Sequence, residues 1–291
     1  MFKPLIYSMN SKTLEAFTTY EERDFDEGLG TVYERFMLNS FFDSLVYSYQ
    51  LKKVLEVPFY GMTGLTGINS VHLVERGCKL TIVDSKKEKV NEAVELWKGL
   101  PYEGRCEVVY HEDLSRLPFE DKSFDLVWDF AALWHVKEAE KLLCEMARVS
   151  SRFVLVFVPN KRQIGYLLRK YVFDRNFFET VDEKWADIER ISDILTSQGL
   201  DVKDRGVLDI PPWPDTCVPL RSILDKLNFV KMGNKKKEER RWKWDIVSYY
   251  LGKDRTVKER VERFSFIERS KLPLWLKALW AHHRYIIFSK N

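Results

Sequence analysis

The feature that most constrains the fold is an alternation of short apolar strands with loops and amphipathic helices between residues 53 and 158. Five segments rich in valine, leucine, isoleucine or phenylalanine are predicted as strands. They cover residues 53–57, 80–84, 106–110, 124–130 and 153–158. Such alternation is typical of βαβ units, in which helices cover the faces of a parallel sheet. The sequence therefore predicts an α/β fold with a mostly parallel sheet.

Helical patterns flank this alternation on both sides. Residues 11–50 carry apolar stripes at helical spacing, and a further helix, strand and final strand are predicted at 185–198, 201–210 and 284–288. We expect four segments: an N-terminal helical lid (1–50), an α/β core (51–217), a helical cap rich in basic and aromatic residues (218–282) and the last strand of the core sheet (283–291).

Composition narrows the class of protein. The 291 residues carry 47 basic and 44 acidic groups, a net charge of +3, which is small for a general polyanion binder. No apolar stretch approaches the length of about 18 residues that a membrane-spanning helix needs, and the first ten residues lack a signal-peptide pattern, so we expect a cytoplasmic protein. Only three glutamines occur, a depletion typical of proteins from hot environments.

Cysteine and histidine spacing gives no sign of a metal site. The four cysteines contain no Cys-x-x-Cys pair, and the five histidines are dispersed along the chain. No pair of carboxylates has ligand spacing either, so the sequence predicts no metal centre.

Three loops that follow predicted strands carry candidate ligand-binding groups. Gly61, Gly64 and Gly67 follow the first strand and permit a sharp turn close to a ligand, although many such loops are only tight turns. Asp84 ends the second strand, where an acid can bind a ribose diol or can cap the next helix. Asp113 follows the third strand and is a candidate partner for an exocyclic amine or the start of an Asx turn.

The sequence resembles the class I S-adenosylmethionine-dependent methyltransferases, of the group related to the ubiquinone and menaquinone biosynthesis enzymes. The segments that carry the resemblance lie between about 50 and 160, and they are Val-Leu-Glu-Val (54–57), Thr-Ile-Val-Asp (81–84), Asp-Leu-Ser-Arg-Leu-Pro-Phe (113–119), Ser-Phe-Asp-Leu-Val (123–127) and Glu-Met-Ala-Arg-Val (145–149). The Leu-Pro-Phe-x-x-x-Ser-Phe-Asp pattern is the most diagnostic of them. The resemblance implies a Rossmann-like sheet of seven strands, helices on both faces and an antiparallel last strand.

The resemblance also implies roles for individual residues. Glu56 and the glycine loop, through Gly61 and Gly64, would hold the amino-acid end of S-adenosylmethionine. Asp84 would bind the ribose hydroxyls, and Asp113 with Leu114 would bind the adenine. Asp129 and the residues that follow it, up to residue 135, would line the floor of the site between the cofactor and the acceptor.

One segment departs from the family pattern. The family continues Glu-x-Gly-x-Gly-x-Gly, whereas this chain has Pro58, Phe59 and Tyr60 before Gly61. Either an extended turn takes over the backbone contacts, or the cofactor pocket has changed or been lost. The second case would leave a non-catalytic binding or scaffold protein with the same fold.

The methyl acceptor is expected to be a small or lipid-like molecule, with RNA as the alternative. His135 is the histidine nearest the predicted reaction centre and is a candidate general base. Neither an Asn-Pro-Pro-Tyr nor a Pro-Cys sequence is present, which lowers the odds of nucleobase methylation. Residues 160–282, which lie outside the core shared with the family, would determine substrate choice. Their tryptophans would either fill the core of a helical cap or shape an apolar pocket. The sequence does not indicate an oligomeric state.

Overall fold

A seven-stranded sheet forms the centre of the computed structural model, which describes residues 27–60, 64–214 and 244–290. The strand order is β3-β2-β1-β4-β5-β7-β6. The strands are β1 (Lys53–Glu56), β2 (Lys79–Asp84), β3 (Cys106–Tyr110), β4 (Phe124–Phe130), β5 (Ser150–Pro159), β6 (Leu200–Leu208) and β7 (His283–Lys290).

Neighbouring strands from β1 to β5 are parallel, and β7 runs antiparallel between β5 and β6. In the register of the sheet, Leu55 lies opposite Thr81 on one side and Val127 on the other. His283, the first residue of β7, pairs with Pro159, the last residue of β5. The prediction of a seven-stranded, mostly parallel sheet with an antiparallel last strand is confirmed.

Helices cover both faces of the sheet. They are α1 (Leu29–Tyr49), α2 (Val71–Glu75), α3 (Lys87–Gly99), α4 (Ala139–Val149), α5 (Ile164–Leu168), α6 (Arg175–Glu179), α7 (Ile188–Ser197), α8 (Ile246–Tyr250), α9 (Thr256–Glu262) and α10 (Leu274–Ala278). Helices α1, α2, α3, α8 and α9 pack into the core on one face, while α4 and α7 pack on the other.

The central strands are apolar because both of their faces are covered. On β4, Trp128 is fully buried in the first core and Val127 is fully buried in the second. A strand buried on both sides has no solvent-facing positions, so its sequence is nearly continuous in apolar residues.

The N-terminal helix α1 is an integral part of the first core. Its Phe36 and Phe42 are at most 2 % exposed, and the ring of Phe42 packs edge-on against Trp128 at 4.8 Å. Tyr33, a residue that fits either a lid or the core, is fully buried. The first 26 residues of the predicted lid lie outside the described residues.

Much of the predicted cap also lies outside the described residues, including its basic stretch at 231–243. Two tryptophans in the described parts of residues 160–282 have different surroundings. Trp213 packs against Tyr33 at 5.6 Å, whereas Trp275 on α10 is 69 % exposed. Among the described helices, none is long and apolar enough to cross a bilayer.

Candidate functional site

A cavity of about 300 Å³ opens at the carboxyl edge of the sheet. Its walls come from the segments that follow four strands, and they are Pro58 and Tyr60, residues 84–86, residues 112–115 and residues 135–138. Pockets for small molecules start at about this volume. Ligands of open α/β sheets bind at this edge, where the loops leave the strands.

Asp84 is held at the floor of this cavity by its neighbours' backbone. Its carboxylate accepts the N–H of Tyr60 at 3.0 Å and the N–H of Lys86 at 2.9 Å, one on each oxygen. The residue is 2 % exposed, and burial raises the pKa of its carboxyl group although these hydrogen bonds oppose the shift. Each carboxylate oxygen has two lone pairs, so one acceptor position on each remains for a ligand.

Tyr60 is a cavity residue that the sequence analysis did not identify. Its ring lies 4.4 Å from the ammonium group of Lys86 and 4.8 Å from that of Lys89, a cation–π arrangement that fixes the ring at the wall. The residue stands where the family pattern has glycine, so no motif pointed to it.

Asp113 and Leu114 line the same cavity as Asp84. The carboxylate of Asp113 accepts the N–H and the hydroxyl of Ser115, at 2.9 and 2.6 Å, so the predicted Asx turn is present. Both bonds involve the same oxygen, and they lower the pKa of the Asp113 carboxyl. Leu114 is 7 % exposed and presents an apolar surface to the cavity.

His135 lies on the same cavity wall, at the end of a 3₁₀ turn over Leu133–His135. Its ring packs edge-on against Trp134 at 5.7 Å and Phe177 at 6.1 Å. These two contacts hold the imidazole beside two aromatic rings.

Glu56 and Asp129 end the two central strands and are fully buried. One oxygen of Glu56 accepts the hydroxyl of Ser70 at 2.6 Å, whereas Oε1 has no hydrogen-bond partner. Both oxygens of Asp129 face the N–H of Ala132, at 3.2 and 3.4 Å. Neither carboxyl group lines the cavity wall, and burial raises the pKa of Glu56 to about 8 and that of Asp129 well above its ordinary range.

The raised pKa of Glu56 predicts a pH-dependent stability. The carboxyl group loses its proton near pH 4.5 in the unfolded chain and near pH 8 in the folded one. The protonated group therefore adds fully to the free energy of unfolding below pH 4.5, and this contribution is lost as the pH rises to about 8. The glutamine of Glu56→Gln cannot lose a proton. Between pH 5 and 8.5, the melting temperature of this variant should therefore fall by several degrees less than the melting temperature of the wild type does. Thermal unfolding followed by circular dichroism measures both curves.

Glu95→Gln is the matched control, because the Glu95 side chain is 51 % exposed in a surface ion pair. This variant should keep the wild-type pH dependence. Parallel curves for Glu56→Gln and the wild type would show that Glu56 is not protonated in the folded protein.

The glycine loop is packed against protein groups. Gly64 has φ +90°, and a Cβ there would meet the side chains of Glu27 and Arg35 at 3.0 Å. Gly67 has φ +76°, and its Cβ would meet the Cβ of Ala93 on α3 at 2.8 Å. Gly61 lies outside the described residues. The described glycines therefore permit close packing of the loop, and a cofactor contact by Gly61 or Gly64 stays a prediction.

The sequence matches a known family over part of its length. Residues 62–153 match the methyltransferase domain family. No curated protein has significant sequence similarity to the chain.

Solved structures with the same fold include a methyltransferase from Thermotoga maritima described as dependent on S-adenosylmethionine, with 13 % identity and a TM-score of 0.52 over 96 % of this chain and 99 % of the other. Magnesium protoporphyrin IX methyltransferase from Synechocystis has 17 % identity and a TM-score of 0.51, over 71 % and 91 % of the two chains. The [4+2]-cyclase SpnF has 15 % identity and a TM-score of 0.50, over 87 % and 80 %. At such identities the likeness establishes the fold alone.

The family match covers the strands and loops that build the cavity from β2 onward. The sheet has the seven strands and the antiparallel last strand that the resemblance implies. Residues 62–153 therefore match the methyltransferase domain family, and the sheet that contains them has the fold of class I S-adenosylmethionine-dependent methyltransferases.

Proposed function

We propose that the chain transfers a methyl group from S-adenosylmethionine to a small-molecule or lipid-like acceptor. The observation that carries this proposal is the convergence of Asp84, Asp113 and Leu114 on one cavity at the carboxyl edge of the sheet. These residues come from two different loops, and each has the chemistry that its part of an adenosine group requires.

The residues that line the cavity fit the adenosine part of the cofactor. Asp84 keeps acceptor positions for two ribose hydroxyls, and one oxygen of Asp113 makes no bond to Ser115. The buried Oε1 of Glu56 has no hydrogen-bond partner, and a buried acceptor of this kind gains most from a cationic donor such as an ammonium group.

In this proposal, S-adenosylmethionine supplies the activated methyl carbon for an in-line displacement. Asp84 binds the ribose, Asp113 and Leu114 bind the adenine, and Glu56 holds the ammonium group. Asp129 fixes the turn after β4 through the N–H of Ala132. The chain's contribution is mainly to orient the reactants and exclude water.

The charges around the cavity favour a small acceptor over RNA. Its walls carry four carboxyl groups, on Asp84, Glu112, Asp113 and Glu138, against the two ammonium groups of Lys86 and Lys137. An acidic rim repels the phosphate backbone, which supplies most of the affinity of nucleic-acid-binding proteins.

A lipid-like acceptor is supported by the exposed apolar side chains of residues 266–279, the segment that precedes β7. The residues that carry them are 37 to 69 % exposed, and they are Phe266, Leu272, Leu274, Trp275, Leu276 and Leu279. Exposed apolar residues that share one patch are typical of sites that meet lipids or other apolar partners, and we expect these residues to form such a patch.

A labelling experiment tests the acceptor class. The protein is incubated with S-adenosylmethionine that carries a radioactive methyl group and, in separate reactions, with polar metabolites, a lipid extract or total RNA. We expect label in the metabolite or lipid reaction, and Asp84→Ala should abolish it. Label in RNA alone would contradict a small-molecule or lipid-like acceptor. Binding of the cofactor without any methyl transfer would favour a binding or scaffold protein.

His135 is proposed as the general base for an acceptor that must lose a proton. A base of this kind contributes about 10²- to 10⁴-fold to turnover, so His135→Ala should lower kcat by such a factor and remove the acidic limb of its pH profile. The measurement is kcat against pH, with cofactor affinity measured in parallel.

His111→Ala is the control, because the ring of His111 contacts the carbonyl oxygen of Arg116 and does not line the cavity. Unchanged turnover and an unchanged pH profile in His135→Ala would exclude the role of base.

A further inference from the structure

A second group of polar side chains lies at the carboxyl edge, two strands away from the cavity. Glu34 of α1, Asp209 after β6 and His283 of β7 each place one ligand atom within 4.8 Å of the other two. The side chains are 12 %, 2 % and 11 % exposed, respectively. The ring of His283 packs on that of Phe130, the last residue of β4, at 4.7 Å.

The separations in this group are too long for hydrogen bonds. Nδ1 of His283 lies 3.7 Å from Oε2 of Glu34 and 3.8 Å from Oδ2 of Asp209. Hydrogen bonds between nitrogen and oxygen are usually about 2.7–3.2 Å long, and a separation of about 3.6 Å or more is not one. Ligand atoms that share a tetrahedral ion with bonds of about 2.1 Å lie about 3.4 Å apart, so small side-chain shifts would complete such a site.

Asp209 provides independent support for a bound cation. The residue is 1 % exposed, and its Oδ1 has no hydrogen-bond partner. A buried carboxylate oxygen in this state is costly unless a cation or a donor meets it.

His282 completes the surroundings of Asp209. Its Nδ1 lies 2.8 Å from Oδ2 of Asp209, and its Nε2 lies 3.3 Å from the carbonyl oxygen of Trp213. An imidazole that binds a ligating carboxylate from outside fixes the orientation of that carboxylate, as outer partners do in metal sites. The structure places both histidines beside this buried carboxylate.

We propose that Glu34, Asp209 and His283 bind one divalent transition-metal ion, with His282 as the outer partner of Asp209. Two carboxylate oxygens and one imidazole nitrogen suit Zn²⁺, Mn²⁺, Fe²⁺ or Co²⁺. Three protein ligands leave at least one coordination position open, as in metal sites that bind a substrate or water. This inference does not depend on methyl transfer.

The site is tested by metal binding to the full chain, without cofactor or acceptor. The protein is stripped with a chelator, and Zn²⁺ and Mn²⁺ are titrated separately by calorimetry. Co²⁺ is added in a third titration, because its visible absorption reports coordination by nitrogen and oxygen. We expect one ion per chain and a rise in melting temperature with the bound ion.

Variants distinguish this site from general surface binding. His283→Ala and Glu34→Gln each remove a ligand and should weaken binding at least about 100-fold, and His282→Ala should weaken it about 10- to 100-fold. His111→Ala removes a histidine from another part of the protein and should leave the affinity unchanged. Circular dichroism checks that each variant is folded.

Two results would overturn the proposal. One is the absence of stoichiometric binding of any of the three ions to the wild type. The other is equal affinity for wild type, His283→Ala and Glu34→Gln, which would place the bound ion elsewhere. Because these readouts do not involve S-adenosylmethionine, a failure of the proposed methyl transfer would not affect them.

Discussion

Asp84→Ala is expected to weaken S-adenosylmethionine binding by about 100-fold or more. Each hydrogen bond from a ribose hydroxyl to a charged acceptor contributes about 1.5–3 kcal/mol, so the loss of two such bonds corresponds to at least two powers of ten in Kd. Calorimetric titration with S-adenosylmethionine and S-adenosylhomocysteine measures the effect. Both ligands should lose affinity equally, because they share the ribose.

The Asp84 carboxylate also accepts the N–H groups of Tyr60 and Lys86, so its removal affects the local backbone. Asp113→Ala provides a second test of the same cavity, because Asp113 is exposed and its loss should hardly change folding. We expect about tenfold weaker binding for this variant.

Asp193→Ala is the matched control, because Asp193 is an exposed carboxylate on α7, away from the cavity. Wild-type affinity in Asp84→Ala, with the variant folded, would contradict the assignment of the ribose site. No binding to the folded wild type would indicate that the altered glycine loop has abolished the cofactor pocket.

Arg35→Met is expected to lower the melting temperature by about 10 °C. Arg35 and Glu27 form an ion pair at 3.0 Å whose side chains are 2 % and 0 % exposed. Removal of one partner of a buried pair leaves an uncompensated charge and costs about 3–5 kcal/mol. For a protein of this size, each kcal/mol lowers the melting temperature by about 2–4 °C.

The pair also connects three parts of the chain. Arg35 donates to the side chain of Asn69 and, at 3.3 Å, to the carbonyl oxygen of Leu65. Glu27 accepts the N–H of Leu65 at 3.3 Å and that of Ile246 at 3.4 Å. We therefore expect the glycine loop to lose its anchor together with the ion pair.

Thermal unfolding of four proteins tests this expectation. Lys98→Met breaks a surface pair with Glu95, in which both side chains are more than half exposed, and should shift the midpoint by less than about 3 °C. The double variant Glu27→Gln/Arg35→Met should be more stable than Arg35→Met, because no buried charge is left alone. Equal melting temperatures for Arg35→Met and Lys98→Met would show that the buried Glu27–Arg35 pair contributes no more to stability than the exposed pair does.

The strands were predictable because their signal is local. The predicted bounds of β3 and β4, 106–110 and 124–130, agree with the structure. In β4, burial on both faces requires apolar side chains at nearly every position, and that requirement is visible in a single sequence. The acids Asp84 and Asp113 were found for a related reason, since each lies next to the carboxyl end of a recognisable strand.

The region between β5 and α7 was less predictable. The structure contains short helices there, including α5 and α6, of only five residues each. A helix of one turn has too few residues to show a periodic pattern, and tertiary packing stabilises it more than intrinsic propensity does.

By itself, the sequence determined the α/β class, the strands of the sheet and the acids at two strand ends, because each depends on residues that are neighbours in the chain. Only the tertiary structure decided that Gly64 packs against the Glu27–Arg35 pair, and that Asp209 meets His283 beside Glu34. These contacts join residues up to about 250 positions apart. Residue spacing in the sequence cannot predict these contacts, because β7 lies between β5 and β6 only when the whole sheet has formed.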